Sequence, residues 1–179
     1  MEPWIETATG GKFWFDGRDN NINIGDISQA LSKMCRFTGH CRFFYSVAEH
    51  SVNVSFLVPP EQALAALLHD ASEAYLADIA SPVKQLLPDY KVLEQKVTGQ
   101  IDTYFGVDSS TPEIKQADWA QLKTEAKFLL PTQGADWYFP KDLPEGCFPI
   151  GYLPAQAEML FISRFKELIN VRKEDRKAA

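Results

Sequence analysis

Apolar residues recur every three or four positions along most of the chain, which is the spacing of amphipathic helices. Helices are predicted at about residues 26–35, 46–57, 62–76, 81–87, 90–105, 112–130 and 154–170. The segment 10–25 differs, because Lys12–Phe15 and an Asp16-Gly17 turn signal are followed by the alternating Ile22 and Ile24. We therefore predict an all-α fold with a short β element near the N-terminus.

Capping signals support several of these helix boundaries. Asp26 is predicted to cap the first helix, Ser46 and Glu49 form a capping box for the second, and Ser81 precedes a proline at a helix start. Gly106 is the predicted end of the helix at 90–105. Residues 131–153 are rich in proline and glycine and are predicted to form an ordered loop.

The composition indicates a single soluble domain. The 179 residues contain no repeat, low-complexity tract or linker, so residues 1–179 form one unit, with residues 1–25 as the β excursion and 171–179 as a frayed tail. No apolar run approaches the roughly 20 residues that cross a bilayer. A formal net charge of −6 argues against a nucleic-acid polymer as partner. The three cysteines lack metal-finger spacing, and we expect a cytoplasmic protein.

Ionisable residues follow an apolar half-helix without a change of period. The run from Ala63 to Leu68 predicts a buried helix, yet it continues into His69, Asp70 and Glu73. His69 and Glu73 are four residues apart and would share a helical face. Because unpaired burial of such groups costs several kcal/mol, they need partners.

Two further polar residues stand where apolar ones are expected. His50 lies between Val47 and Val54 in one stripe, and Asp118 lies in another. A single histidine in an apolar stripe is more often a hydrogen-bonded core residue, but His50, His69, Asp70 and Asp118 together form a set of metal ligands. Two imidazoles and two carboxylates suit one divalent ion, with Mn²⁺, Co²⁺, Fe²⁺ or Zn²⁺ as candidates and Mg²⁺ retained.

Two cations are candidates for binding phosphate. Lys84 falls in the first turn of a short helix, where the helix dipole disfavours a cation unless an anion binds there. Arg36 lies among aromatic residues and suits bidentate binding of phosphate. The ordinary explanations are a solvated lysine and the edge of an aromatic core. His40 either points into the same site or only supports it.

With these motifs in place, the sequence resembles the HD-domain metal-dependent phosphohydrolases. The resemblance rests on Glu49-His50-Ser51, His69-Asp70-Ala71-Ser72-Glu73, Ala117-Asp118 and the stretch from Tyr75 to Lys84. That last stretch is similar to bacterial 5′-deoxynucleotidases. Arg-Phe-Thr-Gly-His at 36–40 and Tyr-Ser-Val-Ala-Glu-His at 45–50 resemble the small HD hydrolases of phages and prophages, which include dATP triphosphohydrolases.

The resemblance implies a helical-bundle HD domain and a role for each matching residue. His50, His69, Asp70 and Asp118 would bind the metal ion. Glu73 would orient or deprotonate the attacking water, and Asp78 would assist proton transfer or sugar recognition. Phosphate would be held by Arg36 and Lys84, and the nucleoside would be flanked by Phe37 and Pro82. Only 18 residues separate His50 from His69, and Phe37 stands where the deoxynucleotidases tend to have tryptophan.

Three functions remain open from the sequence. The first is a 5′-deoxynucleotidase that converts a deoxynucleoside monophosphate to deoxynucleoside and phosphate. The second is a deoxynucleoside triphosphate triphosphohydrolase of the dATP type, which releases triphosphate. The third is a non-catalytic nucleotide sensor with a structural metal. In each case the partner is a small-molecule nucleotide, and a homo-oligomer is expected.

Overall fold

The all-α fold with a small β element is confirmed. The computed structural model describes the backbone of residues 2–178 and the side chains of residues 2–173. Within that range the strands are β1 (Trp4–Glu6) and β2 (Lys12–Trp14), and the helices are α1 (Ile24–Lys33), α2 (Val47–Val54), α3 (Ala63–Leu67), α4 (Glu73–Leu76), α5 (Ser81–Lys84), α6 (Pro88–Phe105), α7 (Pro112–Leu129) and α8 (Pro154–Ala178). Two short 3-10 helices lie at Phe37–Gly39 and Pro60–Gln62.

The β element is a hairpin inside the predicted excursion at residues 1–25, but its strands are not the predicted pair. β2 falls within the predicted Lys12–Phe15 segment, but it pairs antiparallel with β1 and not with residues around Ile22, so that part of the prediction was wrong. The turn between the strands closes through the Gly10 amide, which donates to the Thr7 carbonyl at 2.9 Å. Gly10 has φ +80°, a conformation that glycine adopts without strain.

The hairpin is fastened to α1 by the residue that was expected to cap that helix. Asp26 does not cap α1; its carboxylate accepts hydrogen bonds from the Thr9 amide at 2.7 Å and the Thr9 hydroxyl at 3.1 Å. The cap is Asn23, whose side chain accepts from the Gly25 amide at 2.8 Å. The helix therefore starts earlier than predicted.

Helix α2 runs through the centre of the fold. The Ser46 hydroxyl accepts from the Glu49 amide at 3.1 Å, so the predicted cap is confirmed. The reciprocal half of the capping box was wrong, because the buried Glu49 carboxylate accepts from the backbone amides of residues 150–152 at 2.7 to 3.1 Å. Glu49 thereby ties the loop before α8 to α2, and α2 ends at Val54, ahead of the predicted end at 57.

The continuous helix predicted at 62–76 is interrupted between α3 and α4. Across the break the amides bond three residues back: Ala71 to the Leu68 carbonyl at 2.9 Å, and Glu73 to the Asp70 carbonyl at 3.0 Å. Each such bond closes a tighter turn than an α-helix allows. His69 and Glu73 therefore do not share one α-helical face, as the periodicity had indicated.

Other helix ends match the sequence unevenly. Gly106 ends α6 in the left-handed conformation, as predicted, with φ +62°. Thr111 caps α7 through the Ile114 amide at 3.4 Å. Ser81 is the first residue of α5 and not its cap, and α5 ends at Lys84. Helix α8 continues to Ala178, beyond its predicted end near 170, while Ala179 of the predicted frayed tail lies outside the described residues.

The core is formed where α1, α2 and α3 pack against α8. Its fully buried members include Phe13, Ile27, Leu31, Val47, Leu67 and Phe161. Helix α2 also packs against α7, which brings the helix that carries Asp118 beside the helix that carries His50. None of the described helices is long and apolar enough to cross a membrane.

Candidate metal centre and its surroundings

Three of the four predicted ligands bring their donor atoms together. His50 of α2, His69 from the turn after α3 and Asp118 of α7 each offer one atom, and these atoms all lie within 4.8 Å of one another. His50 is fully buried, His69 is nearly so, and Asp118 is half-buried. The cluster could therefore hold a metal ion between the interior and a polar face.

The Nδ1 nitrogen of each imidazole already has a hydrogen-bond partner. His50 Nδ1 lies 2.7 Å from Glu125 Oε1, and His69 Nδ1 lies 2.8 Å from the Ala66 carbonyl oxygen. Both partners are acceptors, so each Nδ1 carries the proton and donates it. In the neutral rings this leaves a lone pair on Nε2, which is the usual arrangement of metal-binding histidines.

Both Nε2 atoms face carboxylates without being hydrogen-bonded. His50 Nε2 lies 3.1 Å from Asp118 Oδ1, and His69 Nε2 lies 3.2 Å from Asp70 Oδ2. Among the described residues, neither of these buried nitrogens has a hydrogen-bond partner. Buried polar atoms are nearly always satisfied, so two orphaned nitrogens directed at carboxylates fit a divalent ion.

Asp70 completes the set that the sequence predicted. Its Oδ2 atom is 3.6 Å from His50 Nε2, as well as close to His69. The same oxygen lies 3.6 Å from an Arg36 terminal nitrogen, so the carboxylate stands between the imidazoles and the guanidinium. Asp70 therefore lies beside both imidazoles, next to the group formed by His50, His69 and Asp118.

The carboxylates favour protonated histidines when no metal is bound. Burial acts to lower the pKa of His69, but Asp70 and Asp118 outweigh it and raise that pKa to about 9. The pKa of His50 is also raised, because Glu125 and Asp118 outweigh burial and Arg36. Conversely, His69 and His50 hold the pKa of Asp70 below its ordinary value despite burial. A metal ion would have to displace protons from the rings.

Glu125 organises the interior side of the centre, and the sequence analysis missed it. Its carboxylate is fully buried and accepts from Arg36 Nε at 3.0 Å, from the Tyr45 hydroxyl at 2.8 Å and from His50 Nδ1 at 2.7 Å. Burial acts to raise the pKa of Glu125, but Arg36 and His50 lower it overall, so it stays ionised. A signal existed: Glu125 lies seven residues after Asp118, two helical turns along the same face.

A second polar group, the carboxylate–lysine group, consists of Glu73, Asp78, Lys84 and Glu94. Lys84 Nζ lies 2.6 Å from Glu94 Oε1 and 3.3 Å from Glu73 Oε1. The other Glu73 oxygen is buried and has no hydrogen-bond partner among the described residues. Burial, then Asp70 and Asp78, raise the pKa of Glu73 well above its ordinary value.

Asp78 follows a strained backbone position. Ala77, which ends α4, has φ +69°, a value that costs a residue with a side chain free energy. Burial raises the pKa of Asp78, and Asp70 adds to this effect against the opposing charges of Arg36 and Lys84. The Asp78 carboxyl group therefore lies close enough to the centre to be influenced by the charges of Arg36 and Asp70.

The remaining predicted contacts occupy different surroundings. Arg36 is held by Glu125 and approaches Asp70, so it lies at the edge of the centre. Phe37 follows it in a 3-10 helix, with the guanidinium carbon 5.6 Å from the ring centroid. Pro82 is exposed on α5, and His40 is exposed after the 3-10 helix.

The fold and the centre together define an all-α protein with a histidine–aspartate cluster that could hold a metal ion. No model of a known protein family matches the chain. The chain is 42% identical over 175 residues to the uncharacterized protein YfdR of Escherichia coli (strain K12), covering 95% of this chain and 98% of YfdR. It therefore belongs to the same family as YfdR.

A second relative matches over a shorter stretch. The uncharacterized protein RCAP_rcc00048 of Rhodobacter capsulatus is 34% identical over 122 residues, which cover 60% of this chain and 62% of that protein. Neither relative's name states an activity, so membership of the HD-domain phosphohydrolases stays a prediction.

Proposed function

We propose that this protein is a metal-dependent phosphohydrolase that converts deoxynucleoside 5′-monophosphates to deoxynucleoside and inorganic phosphate. The observation that carries the proposal is the pair of buried imidazoles whose Nδ1 atoms are occupied while both Nε2 atoms are directed at carboxylates without hydrogen bonds. One carboxylate facing one imidazole would make an ion pair, whereas the donor atoms of two imidazoles and Asp118 converge within 4.8 Å, as the ligands of one ion do.

The ion would be held by His50, His69 and Asp118, with Asp70 as the fourth ligand. Two imidazoles and two carboxylates suit Mn²⁺, Co²⁺, Fe²⁺ or Zn²⁺ better than Mg²⁺, which favours oxygen ligands. When bound, such an ion supplies positive charge that polarises a phosphoryl oxygen and makes water a better nucleophile at neutral pH.

Glu73 is the proposed proton acceptor. One of its oxygens is buried without a hydrogen-bond partner, so it is available to a water molecule. Burial, Asp70 and Asp78 raise the pKa of Glu73, and the charge of Lys84 opposes that rise. A carboxylate with a raised pKa takes up a proton from water more readily than an ordinary one, which suits a general base.

Asp78 is the proposed proton donor. As water attacks phosphorus, the bond from phosphorus to the 5′ oxygen breaks, and that oxygen needs a proton. The raised pKa of Asp78 favours the neutral acid, which can supply it. Arg36 lies at the edge of the centre, 3.6 Å from Asp70, where its charge would offset the charge of the phosphoryl group during transfer.

The carboxylate–lysine contacts favour a monophosphate over a triphosphate. Lys84 is paired with Glu73 and Glu94, while Arg36 is paired with Glu125 through Nε and lies 3.6 Å from Asp70, so we assign Arg36 alone to the phosphoryl group. A triphosphate carries more negative charge and would need Lys84 to leave both partners. Triphosphate hydrolysis and nucleotide sensing are therefore the alternative functions that the test distinguishes from the proposed one.

The test is product analysis with defined metals. Protein stripped by chelation is reloaded with Mn²⁺, Co²⁺, Fe²⁺, Zn²⁺ or Mg²⁺ and incubated with ribo- and deoxynucleoside mono- and triphosphates. Ion-pair chromatography should show deoxynucleoside and phosphate from monophosphates. Nucleoside with intact triphosphate would replace the proposal by a triphosphohydrolase. Nucleotide binding without any product would replace it by a sensor.

A further inference from the structure

Two aromatic side chains from separate loops meet beside the centre. Phe37, in the 3-10 helix after α1, has its ring centroid 6.2 Å from that of Trp137, in the loop between α7 and α8. The two ring planes are inclined by 48°. Trp137 remains 43% exposed, so part of its indole surface is available to a ligand.

This aromatic pair is continuous with the metal centre through Arg36. The guanidinium carbon lies 5.6 Å from the Phe37 ring centroid, and a terminal nitrogen of the same group lies 3.6 Å from Asp70 Oδ2. Asp70, the Arg36 guanidinium and the Phe37 ring therefore lie in that order, leading away from the metal centre. A nucleotide presents phosphate, sugar and base in the same linear order.

The Phe37 side of the pair is held by an unusual backbone. Phe37 and Thr38 both have left-handed φ values, +57° and +54°, in residues that carry side chains. Hydrogen bonds from the Gly39 amide to the Arg36 carbonyl at 3.1 Å, and from the His40 amide to the Phe37 carbonyl at 2.9 Å, hold the turn. Strain of this kind persists where the surroundings impose it, commonly at ligand sites.

The Trp137 side is fixed against the helix that carries Glu125. The Trp137 amide donates to the Gly134 carbonyl at 2.9 Å, which closes a turn. Gly134 is buried with φ +71°, and a Cβ atom there would lie 3.0 Å from the Ala126 Cβ. The turn therefore packs tightly on α7, next to Glu125, and places the indole reproducibly.

We propose that Trp137, together with Phe37, binds the nucleobase of the substrate, and that Trp137 is the residue that discriminates nucleotides from other phosphate esters. The inference rests on the proposed function for the identity of the ligand. Its occupant is a nucleobase because an aromatic surface stacks on flat rings, and the adjacent Arg36 and metal centre suit the phosphate of the same molecule.

The test measures binding separately from turnover. Trp137→Leu and Trp137→Phe are made in metal-loaded Glu73→Gln protein, in which hydrolysis is expected to be suppressed. Tyr138→Leu is the matched control, because it changes the next ring of the same loop, which is 86% exposed. Calorimetry measures Kd for dAMP, dGMP, dCMP and dTMP, and for 2-deoxyribose 5-phosphate, which lacks a base.

The expected pattern separates a stacking role from a general role in loop structure. Trp137→Leu should weaken binding of at least one nucleotide by about 5- to 150-fold, the usual contribution of one base–aromatic stack. Trp137→Phe should recover most of this loss. The Kd for deoxyribose 5-phosphate should stay unchanged in all variants, and Tyr138→Leu should match the parent protein.

Other outcomes overturn the inference. Unchanged nucleotide affinity in Trp137→Leu, an equal loss for deoxyribose 5-phosphate, or a parent protein that binds no nucleotide would each do so. Failure of the proposed function looks different: nucleotides would bind with the predicted Trp137 dependence, while unsubstituted metal-loaded protein would hydrolyse none of them.

Discussion

The metal centre and the carboxylate–lysine group lie side by side but are built differently. In the metal centre, His50 of α2 and Glu125 of α7 are both fully buried. The His50 imidazole is held in place by the Glu125 carboxylate. Glu73 and Lys84 come from α4 and α5, two helices of four residues each, on either side of the strained Ala77. One group is fixed by packing, and the other depends on short segments.

This difference separates two requirements of the proposed hydrolysis. A metal ion needs ligands held in place before it binds, which rigid buried helices provide. A proton acceptor near a changing substrate needs a pKa that its neighbours can adjust, and Lys84 is shared between Glu73 and Glu94. Substitutions in the two groups should therefore change different measurements: metal content for the first, turnover and its pH dependence for the second.

The largest expected effect is on turnover in Glu73→Gln. Replacing the carboxylate removes the proton acceptor, so kcat should fall by about 10²- to 10⁴-fold. Metal content should stay at the level of the unsubstituted protein, because Glu73 is not among the ligands. Steady-state kinetics and elemental analysis measure the two, with the exposed Glu113→Gln as control. Full activity with metal present would remove Glu73 from the mechanism.

Asp118→Asn should have the largest effect on metal binding. An amide is a weaker ligand than a carboxylate and brings no charge to offset that of the ion. Changes in residues that only support ligands cost about 10- to 100-fold in metal affinity, so loss of a ligand should exceed about 100-fold. Metal-competition titration measures the effect, and Asp142→Asn in the exposed loop is the control. Retained affinity would exclude Asp118 as a ligand.

Glu125→Gln should lower the metal affinity by less than Asp118→Asn does. The amide can still meet His50 Nδ1, but it removes the charge that supports the imidazole, and about 10- to 100-fold in metal affinity should be lost. Tyr45→Phe is the matched control, since it removes another hydrogen bond to the same carboxylate and leaves the imidazole contact intact. Equal metal affinities in Glu125→Gln and Tyr45→Phe would show that Glu125 supports the fold and not the metal ligand.

The smallest expected effect is a shift of the pH profile in Lys84→Met. Lys84 lowers the pKa of Glu73 against burial and two carboxylates, so its loss should raise that pKa further. The base must be ionised, so the acid limb of kcat/KM should move to higher pH while the maximal rate stays within a few-fold. Lys91→Met, on the exposed surface of α6, should leave the profile in place. A shift to lower pH would contradict the proposed role of Glu73.

Local signals in the sequence located most helices because their causes are local. The Ser46 cap and the Gly106 stop act through bonds within a few residues, and both were predicted. The interruption at 68–72 was not, because the composition there is compatible with a helix. The pairing of β1 with β2 was also missed, since the alternation of Ile22 and Ile24 resembles a strand.

The sequence alone determined the class of fold and the ligand candidates. Burying His50, His69 and Asp118 costs free energy unless these side chains pair with one another or with an ion. The sequence reveals them because they stand where the helical periodicity predicts apolar residues. Only the tertiary structure decided which atoms meet. Glu125 contacts His50 from a position 75 residues further along the chain, and Trp137 contacts Phe37 from the loop between α7 and α8. Contacts of that kind depend on how helices pack, which local sequence patterns do not encode.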